Sequence, residues 1–315
     1  MQKRYVAYGI ELRCGFRLPG MAGGTAERLP SLRLTLDTPA ELASAWSAGC
    51  TAPSWSGRLS DGVRLTVERG RAGDVLFSYG DRARFRLDPS RERLQCAPVD
   101  RADAAWQRVL IGNVLCKVSV MLGYEALHAA AVDSPHGALA LLGPSGVGKT
   151  TLALELVRRG WDLLADDALI VARSPLGVLA YPGGAHVSVA ETGSRAVGGL
   201  GSALARPARK QWLIVGSAGD RRPREPRPIR ALCLLARARH LTLGVRTLAR
   251  NPLLLAPFML GFQGDAERQR SRFELYAELV GATSLVQLTG APADRPAQLA
   301  DTIEHALVPR RASAA

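Results

Sequence analysis

Two short stretches hold residue types that could do chemistry together. The octet Gly143-Pro144-Ser145-Gly146-Val147-Gly148-Lys149-Thr150 has the spacing G-x-x-x-x-G-K-[ST]. In that pattern glycines let successive backbone N–H groups turn inward on phosphate oxygens, the lysine reaches the β- and γ-phosphates, and the final hydroxyl is offered to Mg²⁺. Ser145 can contact phosphate or simply fill a turn, and Thr151 follows at the start of a helical run. The second stretch is Asp166-Asp167, beginning seventeen positions after Lys149. One carboxylate can hold a metal directly or through water while the other takes the proton of an attacking hydroxyl. Phosphoryl transfer needs both tasks done beside the γ-phosphate. Neighbours in a strand point to opposite faces, so the two aspartates differ in role unless the strand bends or ends there.

The elements around these residues suit that arrangement. Residues 138–142 are a short apolar run that reads as a buried strand, and 151–159 is rich in helix formers and stops at Gly160. Strand, glycine loop and helix N-terminus together make an anion site, so the octet implies nucleoside triphosphate binding. A preceding strand over 126–132 carries His128, for which a packed core histidine is the plain alternative. Residues 161–171 read as a strand interrupted by the two aspartates. Upstream, apolar residues from Trp106 to Met121 recur at helical period behind Asp103. Residues 1 to about 100 alternate apolar and polar in runs at 5–12, 32–36, 63–67, 75–79 and 83–87, an antiparallel sheet with one exposed face. Three helices are expected at 251–260, 265–280 and 296–307, covering the core. The spans 1–100 and 101–315 are expected as a β-rich segment and a phosphate-loop domain.

Composition narrows the partners. The chain has 315 residues and a formal charge of +13, and between Arg206 and Arg250 twelve Lys/Arg stand against Asp220 and Glu225. Such an excess steers acidic or phosphate-rich partners, although a solvated basic face is an equal reading. Arg206, Arg209 and Lys210 are candidates to neutralise transition-state charge or to meet an acidic peptide. The Arg/Pro run at 221–228 reads as an exposed loop, and His136 and His186 as surface residues. No aromatic-rich or helix-turn-helix signature accompanies the basic residues, which disfavours nucleic acid. No apolar stretch is long enough for a membrane span and Met1-Gln2-Lys3-Arg4 opens no secretory pattern. With five scattered cysteines (Cys14, Cys50, Cys96, Cys116 and Cys233) a reduced, cytoplasmic setting is expected.

The order Leu127-His128-Ala129, the glycine octet, the helix over 152–160 and Leu164-Ala165-Asp166-Asp167 resembles the HPr kinase/phosphorylase family. That family's phosphate-loop core is similar to the one in phosphoenolpyruvate carboxykinase. The resemblance covers about 125–172 and implies an α/β P-loop kinase fold that uses ATP and Mg²⁺ to phosphorylate a serine hydroxyl on a peptide or small protein. It implies a catalytic set of Asp166, Asp167, Lys149 and His128, and a nucleotide set running from Gly143 to Thr151. Thr150, Asp167 and Glu191 form the metal set. Glu191 enters as a loose echo of a family segment that is otherwise not recognisable, and Ala129 stands where the family has glycine, so the reverse phosphorylase reaction is not implied. The opening Tyr5-Gly9 and Leu18-Pro19 pattern resembles a shorter group that phosphorylates precursors of lasso peptides. Oligomers are common in the family. Competing readings are an HPr-type regulatory kinase, a simple NTPase, and a nucleotide-gated binding protein that phosphorylates nothing.

Overall fold

The structure, a computed structural model, describes residues 2–26, 28–49, 53–59, 61–190, 201–205, 210–215, 224–260 and 266–307. The chain opens with a hairpin, β1 (Lys3–Ala7) and β2 (Ile10–Cys14), where the sequence suggests one strand over 5–12. Tyr8 and Gly9 take φ values of 57° and 73°, the left-handed pair that a two-residue hairpin turn needs. Then follow β3 (Ala22–Gly23), β4 (Ser31–Leu36) and helix α1 (Pro39–Ala45). The helix is signalled by Thr38-Pro39-Ala40-Glu41: Thr38 and Glu41 form a reciprocal capping box and proline opens the first turn. Five strands complete this part: β5 (Trp55–Arg58), β6 (Arg64–Arg69), β7 (Val75–Tyr79), β8 (Ala83–Leu87) and β9 (Arg93–Pro98). They form one sheet in the order β3-β1-β2-β4-β9-β8-β7-β6-β5. The sheet is mixed rather than wholly antiparallel. The long excursions β2→β4 and β4→β9 bring β4 back parallel to both neighbours.

A helix crosses the buried face of this sheet. It runs from α2 (Ala105–Val109) through a π-turn (Leu110–Val114) into α3 (Leu115–Met121). Trp106, Val109, Leu110, Val114 and Val118 bury against Ile10, Leu12, Phe77 and Phe85 of the sheet, and the same apolar cluster continues to Ala126, Ala168 and Ile170 beyond it. Arg108 pins the helix to the sheet: its guanidinium bonds the Asp61 carboxylate, which also accepts from the Tyr79 hydroxyl.

The second sheet carries the phosphate loop. Its strands are β10 (Glu125–Leu127), β11 (Ala129–Ser134), β12 (Gly137–Leu142), β13 (Asp162–Ala165), β14 (Leu169–Ser174) and β15 (Gly177–Tyr181). Between β12 and β13 lies α4 (Lys149–Arg158). A small separate sheet holds β16 (His186–Ala190), β17 (Gly201–Ala205) and β18 (Lys210–Val215). The eleven-residue β19 (Arg227–Arg237) pairs in parallel with β12 on one side and with β21 (Ser284–Gly290) on the other, and β20 (Gly244–Thr247) closes beside β21. Helix α5 (Ala266–Ala282) lies on one face, packing Leu275, Tyr276 and Leu279 against Ala129, Ala131 and Leu142. On the other face α4 and α6 (Pro296–Leu307) bury Leu152, Leu156 and Ile303 against Val132, Leu139 and Leu141. A sheet covered on both faces explains why β11 and β12 read as nearly continuous apolar runs. The first of the three expected C-terminal helices is a 3₁₀ stretch, Pro252–Phe258, with a second proline inside it that denies an α-helical donor. The strands between the helices, β20 and β21, are an addition to the sequence reading. The Arg/Pro run is not wholly loop either: its end, Arg227-Pro228, begins β19, and Arg227 pairs with Asp133 at 2.7 Å. Its residues 221–223 lie outside the described residues.

Candidate active site

The octet occupies the turn between β12 and α4. Gly143 is wedged against β19: a Cβ there would lie 2.9 Å from Val147 and 3.0 Å from the Leu235 carbonyl. Gly148 caps α4 with φ 107°, a left-handed conformation that leaves the first helical N–H groups open toward the loop. Lys149 is buried, and its ammonium donates to the carbonyls of Gly143 (2.8 Å) and Pro144 (3.2 Å). Ser145 is exposed at the loop's crest, facing a cleft.

His128 occupies the one-residue gap between β10 and β11, where its backbone N–H donates to the Phe258 carbonyl at 2.6 Å. Its Nδ1 lies 3.0 Å from the Asp167 carbonyl oxygen and its Nε2 lies 3.1 Å from the Lys149 ammonium. A carbonyl can only accept and an ammonium can only donate, so the proton sits on Nδ1 and the lone pair on Nε2. The histidine therefore ties the aspartate turn to the phosphate loop.

The strand carrying the aspartates ends at Ala165 and restarts at Leu169, in different parts of the sheet. Asp167 turns the corner with φ 66°, a left-handed conformation uncommon outside glycine and characteristic of functional sites. This separates the two carboxylates. Asp166 points at the loop, where its Oδ1 accepts from the Thr150 hydroxyl at 2.8 Å and its Oδ2 from the Ser188 N–H at 3.2 Å. Burial, reinforced by the neighbouring Asp167 charge, pushes the Asp166 carboxyl up to about 7, although Thr150, Ser188 and Lys149 pull the other way. Asp167 is exposed in the cleft. Thr150 and the aspartates supply hard oxygen donors. Among the described residues there is no cluster of three or more His, Cys, Asp or Glu able to cage a cation. One or two protein oxygens, with phosphate and water completing the shell, is how Mg²⁺ is ordinarily held, so this donor set fits it.

The cleft has a volume of about 540 Å³, and residues from the N-terminal sheet and from the π-turn line it together with His128, Ser145, Asp166 and Asp167. Sequence reasoning finds no site in the first hundred residues. Yet the β1–β2 turn reaches the core: the Tyr8 N–H donates to Pro182 at 2.7 Å, and the ring lines the cleft. Only the two-residue turn signal at Tyr8-Gly9 hints at this. His186, expected at the surface, is buried and stacked on Trp212 with ring centroids 4.3 Å apart, because β16 turns inward beside the aspartates. His136 is exposed, as expected. Glu191, Arg206 and Arg209 lie outside the described residues, and of Lys210 only the backbone pairing in β18 is described.

No family model matches the chain. It is 44% identical over 105 residues to an HPr kinase/phosphorylase of a Geobacillus species, covering 33% of each protein. It is 42% identical over 60 residues to one from Prosthecochloris aestuarii, covering 19% of this chain and 18% of that one. The chain thus spans a third or less of the length of these curated relatives. Among solved structures, the HPr(Ser) kinase/phosphatase from Coxiella burnetii aligns over 57% of this chain and 95% of its own, at 10% identity and a TM-score of 0.29. Over a third of its length or less, the chain is similar in sequence to the HPr kinase/phosphorylases.

Proposed function

We propose that this protein is an ATP- and Mg²⁺-dependent kinase that transfers the γ-phosphoryl group to a serine hydroxyl of a peptide or small protein. The observation that supports this most is the pairing of Thr150 with Asp166 at 2.8 Å while Asp167 faces open cleft beside the same loop. Loop amides 144–150 with Lys149 would bind the phosphates, and Thr151 would extend that set. Thr150 and Asp166 would hold Mg²⁺, the reverse of the sequence assignment to Asp167. Bound there, Mg²⁺ supplies charge neutralisation at the β- and γ-oxygens. Asp167 accepts the proton of the acceptor hydroxyl as that oxygen forms its bond to the γ-phosphorus. The bond from phosphorus to the β–γ bridging oxygen breaks, and ADP leaves. His128 holds Asp167 and Lys149 in register. A lasso-peptide precursor and an HPr-like protein are the two acceptors the sequence resemblance suggests, and His128-Ala129 with the altered segment after the aspartates favours the former. A homo-oligomer is compatible with this reading.

Separate asparagine variants test the two roles. Asp166→Asn should raise the Mg²⁺ needed for half-maximal turnover tenfold or more. Asp167→Asn should keep the Mg²⁺ requirement and lower kcat by about 10²–10⁴-fold, the range for a lost general base. Wild-type kinetics in both variants would overturn the mechanism.

A further inference from the structure

The helix that crosses the N-terminal sheet gives up stability at one place. Its π-turn, Leu110–Val114, is a rare interruption of the α-helical ladder, of a kind that occurs frequently at functional sites. Gly112 sits inside that turn, although glycine is a poor helix former. Nothing in the protein asks for glycine there. Its φ is not left-handed, and a Cβ added to it would meet nothing within 4 Å. Gly112 and Asn113 instead line the cleft, and Cys116, Lys117 and Val120 continue the same face along the helix.

The polar groups on this face differ in what they already hold. Arg108 is bonded to Asp61, and the Lys117 ammonium lies 4.0 Å from the Trp55 ring centroid. Asn113 is half-buried, and its side-chain amide makes no hydrogen bond among the described residues. A primary amide carries an acceptor oxygen and two N–H donors. That set complements the N–H and C=O of one extended residue, which point to the same side of a strand. The place of the cleft decides whose main chain this is. Asp167, the base in the reading above, opens into the cleft, whereas residues 146–150 of the phosphate loop do not line it. The cleft therefore lies on the acceptor's side of the loop rather than the nucleotide's.

We infer that Asn113 binds the acceptor, its amide pairing with the main-chain N–H and C=O of one residue beside the serine, while Gly112 leaves room for that main chain against the helix. The inference rests on the kinase reading above and names what that site recognises: a peptide segment whose backbone is extended and open next to the serine. Every residue offers the same main-chain groups, so the contact supplies affinity and register, not a side-chain preference.

The test uses a fluorescent pool of serine-centred peptides with randomised flanks. Binding is read by anisotropy with Mg²⁺ and a non-hydrolysable ATP analogue, and phosphorylation is read separately. Asn113→Ala should weaken peptide binding about tenfold and leave nucleotide affinity and Tm unchanged. The peptides are then N-methylated at one flanking position at a time. At one position the change should cost the wild type about tenfold and Asn113→Ala no more than about twofold, the signature of a coupled pair. Gly112→Ala puts a methyl group into open cleft, so it should raise Tm while weakening the peptide, which a purely structural role would not do. It also keeps the test valid where Asn113→Ala perturbs folding. No peptide binding by the wild type, wild-type peptide affinity in either variant, or lost nucleotide affinity in Asn113→Ala would overturn the inference. Binding that follows this pattern with no phosphorylation of any peptide would instead leave the role of Asn113 standing and remove the kinase reading.

Discussion

At the scale of single residues the site is organised by one short hydrogen bond, from the Thr150 hydroxyl to the Asp166 carboxylate. The acceptor itself has a measurable property, since burial and the Asp167 charge raise the Asp166 carboxyl from its ordinary 3.8 to about 7 against the pull of that bond. A folded-state value above the unfolded one means that the native chain binds the extra proton between those two limits. That contribution to stability is complete below about 4 and is lost as pH rises through about 7. The protein without ligand should therefore lose thermal stability between pH 4 and 7 from this group. Asp166→Asn should remove that slope and stabilise the ligand-free protein at pH 8 by about 1–2 kcal/mol, after discounting for partial solvent access. Melting curves of both proteins at pH 5, 6, 7 and 8 check this. Parallel curves would show that the carboxyl is not raised. The octet and Asp166-Asp167 were legible because their chemistry is local in sequence. His186 was not, since nothing near it announces that β16 folds back on Trp212.

At the scale of elements, the helix from Ala105 to Met121 decides whether the cleft has its second wall. It is fixed by packing and by Arg108, whose side chain is 9% exposed against Asp61 at 10%. Arg108→Ala leaves a buried carboxylate without its cation, so the protein should lose about 2–4 kcal/mol, a fall of roughly 5–10 °C in Tm. Arg108→Lys should recover part of the loss. An unchanged melting point in Arg108→Ala would show that the helix is held by packing alone. The helix itself was readable from its apolar period, but its π-turn was not, because Leu110 to Val114 keep the same spacing that an α-helix would show. Similarly, β21 was hidden: Ser284–Gly290 is a short apolar run between two helices, and only its parallel pairing with β19 makes it a strand.

For the whole molecule, one apolar cluster joins the N-terminal sheet, the crossing helix and the strands beside the aspartates. The sequence boundary near residue 100 marks a change of element type, and the apolar packing runs straight across it. We propose that the two sheets unfold together. The fragment 101–315 would expose Trp106, Val109, Leu110 and Val118 and should be recovered as aggregate, whereas the full chain should melt in one transition. A monodisperse fragment by size-exclusion chromatography would contradict this. No helix among the described residues is long and apolar enough to cross a membrane. The β-rich beginning was legible as strands, but its mixed topology was not, because parallel pairing of β4 with β2 and β9 is set by long connections, from Cys14 to Ser31 and from Leu36 to Arg93.

The central claim is phosphoryl transfer to a hydroxyl. It is tested most directly by incubating the protein with Mg²⁺-ATP and two acceptors, a serine-ending precursor peptide and an HPr-like protein, and reading intact masses. A gain of one phosphoryl group on an acceptor, most readily the peptide, and its absence with Lys149→Ala, is the predicted result. ATP left intact with both acceptors unmodified would contradict the kinase and favour a nucleotide-gated binding protein. ATP consumed without any adduct would contradict it in favour of a simple NTPase.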